Sequence, residues 1–181
     1  MVTNARAKIL DGALELLRVE NGGSLTLDAA AKQVGLTKPG LMYHFPTKEA
    51  LMLGVVDHVA ARWERKLIDH LGCEPQEASA TQRIASYVEV ALTGSFDRAD
   101  FAICADAVYH PALTTTWVAR FEPWLALPPE LSAAQRARLT AARLLADGYW
   151  TAAATGVFPV PEHDRAALLA VVRDLLKGTN P

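Results

Sequence analysis

Cysteine is nearly absent, with Cys73 and Cys104 the only two in 181 residues. They make neither a disulfide framework nor a metal-ligand spacing, and they fit a reducing cytoplasm. Aromatics reach only 7%. The longest uncharged stretch near the end, residues 148–161, has 14 residues and two prolines, too short and too broken for a membrane span. The first residues lead into Asp11 and Glu15 without an apolar h-region, so no secretory signal is expected. Runs of β-branched residues are scarce, which argues against a sheet. Catalytic signatures are missing too. The histidines (His44, His58, His70, His110 and His163) make no His-Glu-x-x-His, and neither Gly-x-Ser-x-Gly nor a phosphate loop occurs. Asp57 and His58 are sequence neighbours and diverge around a helix. The expectation is a protein that is not an enzyme, with no cofactor and no metal.

What is present points to helices. Apolar residues make up 51% and charged residues 21%, which excludes disorder as the main state. With 32 Ala and 24 Leu, strong helix formers dominate and an all-α protein is expected. The formal charge of −2 hides an asymmetry. Residues 1–48 carry six basic groups (Arg6, Lys8, Arg18, Lys32, Lys38, Lys48) and four acidic ones (Asp11, Glu15, Glu20, Asp28), so this end is +2 and the remainder −4. A positive end on an acidic body is compatible with nucleic-acid binding.

Local punctuation divides the chain. A first helix is expected over 4–20, with Ile9, Ala13, Leu16 and Leu17 as its buried stripe and Asn21-Gly22-Gly23 as its stop. Thr26 stands as N-cap of a second helix over 27–34, with Asp28 in its first turn and Gly35 ending it. Thr37 caps a third over 38–44, with Pro39 in its first turn and Phe45-Pro46 closing it. Thr47 caps a fourth and unusually long helix reaching Leu71. Prolines then punctuate helices over 80–95, 99–109, 112–126, 132–156 and 162–177, and the long fourth helix serves both halves in place of a flexible joint.

Two short helices joined by a glycine turn have the form of a helix-turn-helix. Ala31 and Gly35 permit a close crossing, and Leu27, Ala30, Val34, Leu36 and Leu41 are expected to fill a small core. The second helix of such a pair presents its N-terminal residues to base edges in the major groove. Lys38 is its one Lys or Arg, and Thr47 and Lys48 begin a helix, where an ammonium and backbone amides both favour a phosphate.

The string from Thr26 to Leu51 resembles the signature of the tetracycline-repressor (TetR) family of bacterial regulators. Its most diagnostic residues are Tyr43, His44, Phe45, Lys48 and Glu49, and the match covers about residues 5–55. Ala30 stands where the family usually has isoleucine or leucine, and Pro39 where it often has Ser or Lys. The resemblance implies a helix-turn-helix head (1–46) joined by a long helix to a larger helical domain (47–181) for ligand binding and dimerisation. It implies double-stranded DNA as partner, with Thr26, Tyr43, His44 and Lys48 at phosphates and Lys38 and Gly40 facing the groove; Thr37 is a further candidate DNA-binding residue. Phe45 is expected in the core.

For the ligand side, Trp117, Phe121 and Trp124 fall on one helical face, and Trp63, Phe101 and the Tyr149-Trp150 pair are available to meet it. Such a stripe serves equally as core. Asp106 in an apolar run offers a counter-charge for a cationic inducer, or a salt bridge to Arg98. The expectation is a repressor of an efflux gene, released by a small hydrophobic, cationic compound, as in the multidrug-responsive branch of the family. A metabolite sensor of a metabolic operon, a helical enzyme and a protein-binding adaptor are the alternatives. The last two helices, Ala-rich over 133–154 and with Leu168, Leu169, Val172, Leu175 and Leu176, are expected to form a homodimer surface or an internal core.

Overall fold

The computed structural model describes residues 2–19, 25–94, 98–107 and 110–177; the side chains of 2–4, 19, 98 and 106 lie outside that description. Among these residues the chain is all-α. Its helices are α1 (Val2–Val19), α2 (Leu27–Gln33), α3 (Lys38–His44), α4 (Lys48–Leu71), α5 (Ala80–Thr93), α6 (Arg98–Ala107), α7 (Pro111–Leu125), α8 (Ala133–Thr155) and α9 (Arg165–Leu176). Single 3₁₀ turns precede α5 at Pro75–Glu77 and α9 at Glu162–Asp164. No described helix is long and apolar enough to cross a membrane.

The chain condenses into two compact units. One comprises residues 1–61 and 97–120; the other comprises 62–96 and 121–181. Both α4 and α7 contribute residues to each.

In the first unit α1 packs on α2 and α6, and α2 on α3. The buried residues of α1 are Ile9, Leu10, Ala13 and Leu14, whereas Leu16 and Leu17 are only half-buried. The expected stripe is thus turned. Positions 9/13/16/17 and 9/10/13/14 both satisfy helical spacing, and α2 and α6 select the second. Gly12 shows how close α2 comes: a Cβ there would stand 2.3 Å from Val34 Cγ1. Phe45 is fully buried, as expected. Gly54 of α4 lies against it, since a Cβ there would meet Phe45 Cε1 at 2.6 Å and Leu10 Cδ2 at 3.1 Å. Two adjacent residues of α4 also reach other helices. His58 Nε2 lies 2.8 Å from Asp11 Oδ1 on α1, and Asp57 pairs with Arg120 on α7.

In the second unit α5 packs along α8 and α9. Its core includes Ile84, Val88, Leu92, Leu139, Ala142, Ala146, Tyr149, Leu169, Val172 and Leu176, with Leu168 and Leu175 packed against it. The apolar stripe of the last helix is therefore internal core, not an outward surface. Ser79 and Ser132 each form a capping box with a glutamine three residues on, which sets where α5 and α8 begin. Arg83 donates to the carbonyls of Ala78 (2.9 Å), Ala126 (2.8 Å) and Trp124 (3.3 Å). Partial burial pulls its pKa below the ordinary arginine value. Glu89 takes both Nε (2.8 Å) and Nη2 (3.0 Å) of Arg173, and this hydrogen bonding raises the guanidinium pKa.

Candidate nucleic-acid interface

The helix-turn-helix is built by backbone chemistry legible in four residues. Thr26 Oγ1 accepts from the Ala29 amide at 3.1 Å and starts α2. Gly35, at φ +71°, stops it. The Gly35 amide donates to the Lys32 carbonyl (3.2 Å) and the Leu36 amide to the Ala31 carbonyl (2.9 Å), the paired bonds of a Schellman stop. Thr37 Oγ1 then accepts from the Gly40 amide at 3.2 Å and starts α3. Thr47 does the same for α4 through the Ala50 amide at 3.0 Å. Each cap contributes about 1 kcal/mol.

The small core holds Leu25, Ala30, Ala31, Val34 and Leu41. Leu36 departs from expectation: although its amide closes the Schellman turn, its side chain is 39% exposed and adds little to this core. Leu27 is only half-buried. Of the seven residues of α3, Leu41 alone is buried. Tyr43 is 83% exposed and meets His44 edge to face, with ring centroids 5.2 Å apart. The His44 carbonyl accepts from Arg6 Nη1 at 3.3 Å, while that guanidinium lies 4.3 Å above the Phe45 ring. An α1 residue thus fixes the end of α3.

Lys38 is exposed, and its Nζ lies 2.8 Å from Asp28 Oδ2. Gly40 is half-buried, and a Cβ there would stand 3.2 Å from Thr37 Oγ1, pressing on the cap. Thr26, Thr37 and Lys48 are exposed. A cleft of about 560 Å³ opens beside the start of α4, lined by Lys48, Glu49, Met52, His110, Ala112 and Leu113. Sequence spacing gave no hint of it, because α4 and α7 are brought together only by the fold.

The ligand-side residues fall into both units. Phe101 and Trp117 belong to the first and are half-buried. Trp63, Phe121, Trp124 and Trp150 belong to the second. Trp63 and Trp150 meet edge to face at 6.0 Å, and Lys66 Nζ lies 5.1 Å above the Trp63 ring. Phe121 is 4% exposed and Trp124 wholly buried. Trp124 Nε1 has no acceptor among the described residues. The side chain of Asp106 and its suggested pairing with Arg98 lie outside the described residues, as do Phe96 and Tyr109. The buried carboxylate that α6 does display is Asp100, 1% exposed, for which only its first-turn position could have been a signal.

These features define a class: a short capped helix pair with an outward second helix, followed by a helical domain. The family models agree. Residues 9–55 match "bacterial regulatory proteins, tetR family", and residues 81–177 match "tetracyclin repressor-like, C-terminal domain". The chain belongs to the TetR family. The HTH-type transcriptional regulator EthR of Mycolicibacterium smegmatis is 26% identical over 137 residues, which are 73% of this chain and 61% of that protein. The chain thus spans about three fifths of the length of the curated relative it matches. Among solved structures, multidrug binding protein EbrR complexed with imidazole is 20% identical, with a TM-score of 0.62 over 94% of this chain and 93% of the other. A TetR-family member from Streptomyces coelicolor A3, SCO1917, is 19% identical, with a TM-score of 0.65 over 94% and 96%. These likenesses identify the fold. The matched models are those of the N-terminal domain of bacterial regulators and of a repressor-like C-terminal domain.

Proposed function

We propose that the protein is a ligand-responsive repressor that binds a palindromic operator as a homodimer and is released by a small hydrophobic, cationic inducer, so controlling an efflux gene. In this reading residues 1–46 read DNA, and residues 47–181 bind the inducer and dimerise. The observation that carries the DNA half is that α3 buries only Leu41. A helix serving as filler in a bundle would bury a full stripe. Lys38, Gly40, Tyr43 and His44 instead face outward or lie at the rim, beside the threonine-capped starts of α2, α3 and α4 at Thr26, Thr37 and Thr47–Lys48.

The inducer half rests on the aromatic residues. Trp63 and Trp150 supply two ring faces, and the Trp124 N–H needs an acceptor atom. Phe121 belongs to the same unit; Phe101, Asp106 and Trp117 are proposed as ligand-binding residues on their sequence pattern alone. EbrR is described as multidrug binding and is seen with ethidium, a flat cation, which agrees with this inducer class. Coupling runs through α4 (Lys48–Leu71), along which Trp63 lies fifteen residues after Lys48, about 22 Å at 1.5 Å per residue. Inducer against Trp63 tilts this rod and depopulates the DNA-competent state.

Dimerisation is assigned to α8 and α9. Ala137, Ala141, Leu144 and Gly148 are exposed along α8, as are Ala167, Ala170 and Val171 along α9. Small residues there permit close helix approach, and two heads double the phosphate contacts of a head that is only +2.

The test is fluorescence anisotropy on DNA flanking the gene, with the lipophilic cation tetraphenylphosphonium as inducer probe. Selective, salt-sensitive binding that the cation weakens is expected. Tyr43→Ala should weaken binding at least fivefold without unfolding the head. Unchanged affinity after removing both Lys38 and Lys48, or cation and operator binding with no mutual weakening, overturns the reading.

A further inference from the structure

A cavity of about 320 Å³ lies in the second unit, lined by Ile84, Leu125, Leu127, Leu139, Thr140 and Arg143. It shares no residue with the tryptophan group assigned above to the inducer. Its size is at the lower end of small-molecule sites. Ile84 and Leu139 are fully buried and form an apolar floor. Leu125 and Leu127 form a wall, and Arg83 grips the carbonyls of Trp124 and Ala126 on either side of Leu125, so that wall is fixed by hydrogen bonds.

The polar end is an arginine with unused capacity. Arg143 Nη1 donates to Asp147 Oδ2 at 2.8 Å, and this is its one hydrogen bond to a described residue. Asp147 Oδ1 is already held by the Tyr87 hydroxyl at 2.7 Å. Asp147 therefore engages Nη1 and shares the guanidinium charge, while Nε and Nη2 remain on a planar fork matched to a carboxylate. The Thr140 hydroxyl stands one helical turn before Arg143 and is a further donor. Arg143 and Asp147 are each only one-third exposed, so their charges are partly shielded from water.

We propose that this cavity is a second ligand site, taking a small amphipathic carboxylate with its apolar tail on Ile84, Leu125, Leu127 and Leu139 and its carboxylate on Arg143 and Thr140. The inference is independent of DNA binding and of the tryptophan-lined site, so it stands or falls by its own measurement.

Isothermal titration of the purified full chain with straight-chain carboxylates tests it. Octanoate binds once per chain, and affinity rises about fourfold for each methylene from butanoate to octanoate, the expected gain for burying one such group. Octanol, with the same tail and no charge, binds at least tenfold more weakly, and tetraphenylphosphonium does not displace octanoate. Arg143→Gln costs ten- to a hundredfold for octanoate and nothing for octanol, as loss of a charge-assisted hydrogen bond requires. Asp147→Asn tightens octanoate, because the guanidinium no longer shares its charge; the Tyr87 hydroxyl can still donate to the amide oxygen, which keeps this variant folded if Arg143→Gln is not. Equal binding of octanoate and octanol, an unchanged octanoate affinity in Arg143→Gln, or a weakened one in Asp147→Asn overturns the proposal.

Discussion

Lys38 Nζ lies 2.8 Å from Asp28 Oδ2, so the one Lys or Arg of the recognition helix is tethered to the preceding helix by a carboxylate. Both side chains are exposed, and the pair adds at most about 1 kcal/mol to stability. In the proposed DNA-bound state, a phosphate or base would compete with Asp28 for the ammonium.

Asp28→Asn is therefore expected to raise DNA affinity about two- to fivefold while leaving thermal stability nearly unchanged. Lys38→Ala should lower affinity and reduce the slope of log affinity against log salt by about one. Anisotropy titrations between about 50 and 200 mM salt measure both. Weaker binding by Asp28→Asn would show that the carboxylate positions Lys38 instead of competing for it.

Gly54 sits where α4 crosses Phe45. Gly54→Ala is expected to destabilise the protein by about 1–3 kcal/mol, since the Cβ at 2.6 Å from Phe45 Cε1 must displace a fully buried ring. Helix propensity alone predicts the opposite sign, a gain of about 1 kcal/mol. Gly12→Ala, against Val34, follows the same logic. Urea unfolding followed by circular dichroism decides the sign.

Arg83→Leu removes three hydrogen bonds to the carbonyls of Ala78, Trp124 and Ala126. The expected loss is about 2–3 kcal/mol, or about 5–10 °C in Tm. Burial lowers the arginine pKa, so the folded state disfavours the charged form, and this linkage relaxes, raising stability, only as pH climbs into the strongly alkaline range; the group stays protonated through the neutral range. The deficit of the variant should accordingly be the same at about pH 6 and about pH 9; a deficit that disappears at pH 9 contradicts the assignment.

For the proposed dimer, Leu144→Glu combined with Val171→Glu should give a folded monomer. Both residues are more than half exposed in the single chain, at 54% and 59%, so neither supports the internal core. Sedimentation velocity reads the assembly state. A dimer that persists in the double variant excludes this face.

The parts of the fold set by chemistry within a few residues were legible in the sequence. Thr26, Thr37 and Thr47 act as caps, Gly35 takes the left-handed stop, and α3 runs from Lys38 to His44 as its flanking threonine and Phe-Pro dictate. What depended on a partner element was not. Periodicity alone could not choose between Leu10/Leu14 and Leu16/Leu17 on α1, because the two faces overlap and only α2 and α6 break the tie. The leucines of α9 read equally as surface or core until α5 and α8 enclosed them. The site shows the same division. The exposed Tyr43, Lys38 and Lys48 follow from the motif. The Lys38–Asp28 tether spans a turn whose geometry no spacing rule supplies, and it was missed.

Asp57 and His58 are successive residues, so their side chains leave α4 about 100° apart. One pairs with α7 and the other with α1. The first part of α4 is thereby held from two directions within one compact unit. The segment proposed to touch DNA, residues 1–46, is thus smaller than the compact unit of residues 1–61 and 97–120 in which it packs. Grafting residues 1–46 alone onto a relative would leave Asp11 without His58 and Phe45 without the Gly54 surface that seats it. A chimaera intended to exchange operator specificity should carry its junction beyond residue 61 and bring α6 and the first part of α7 along.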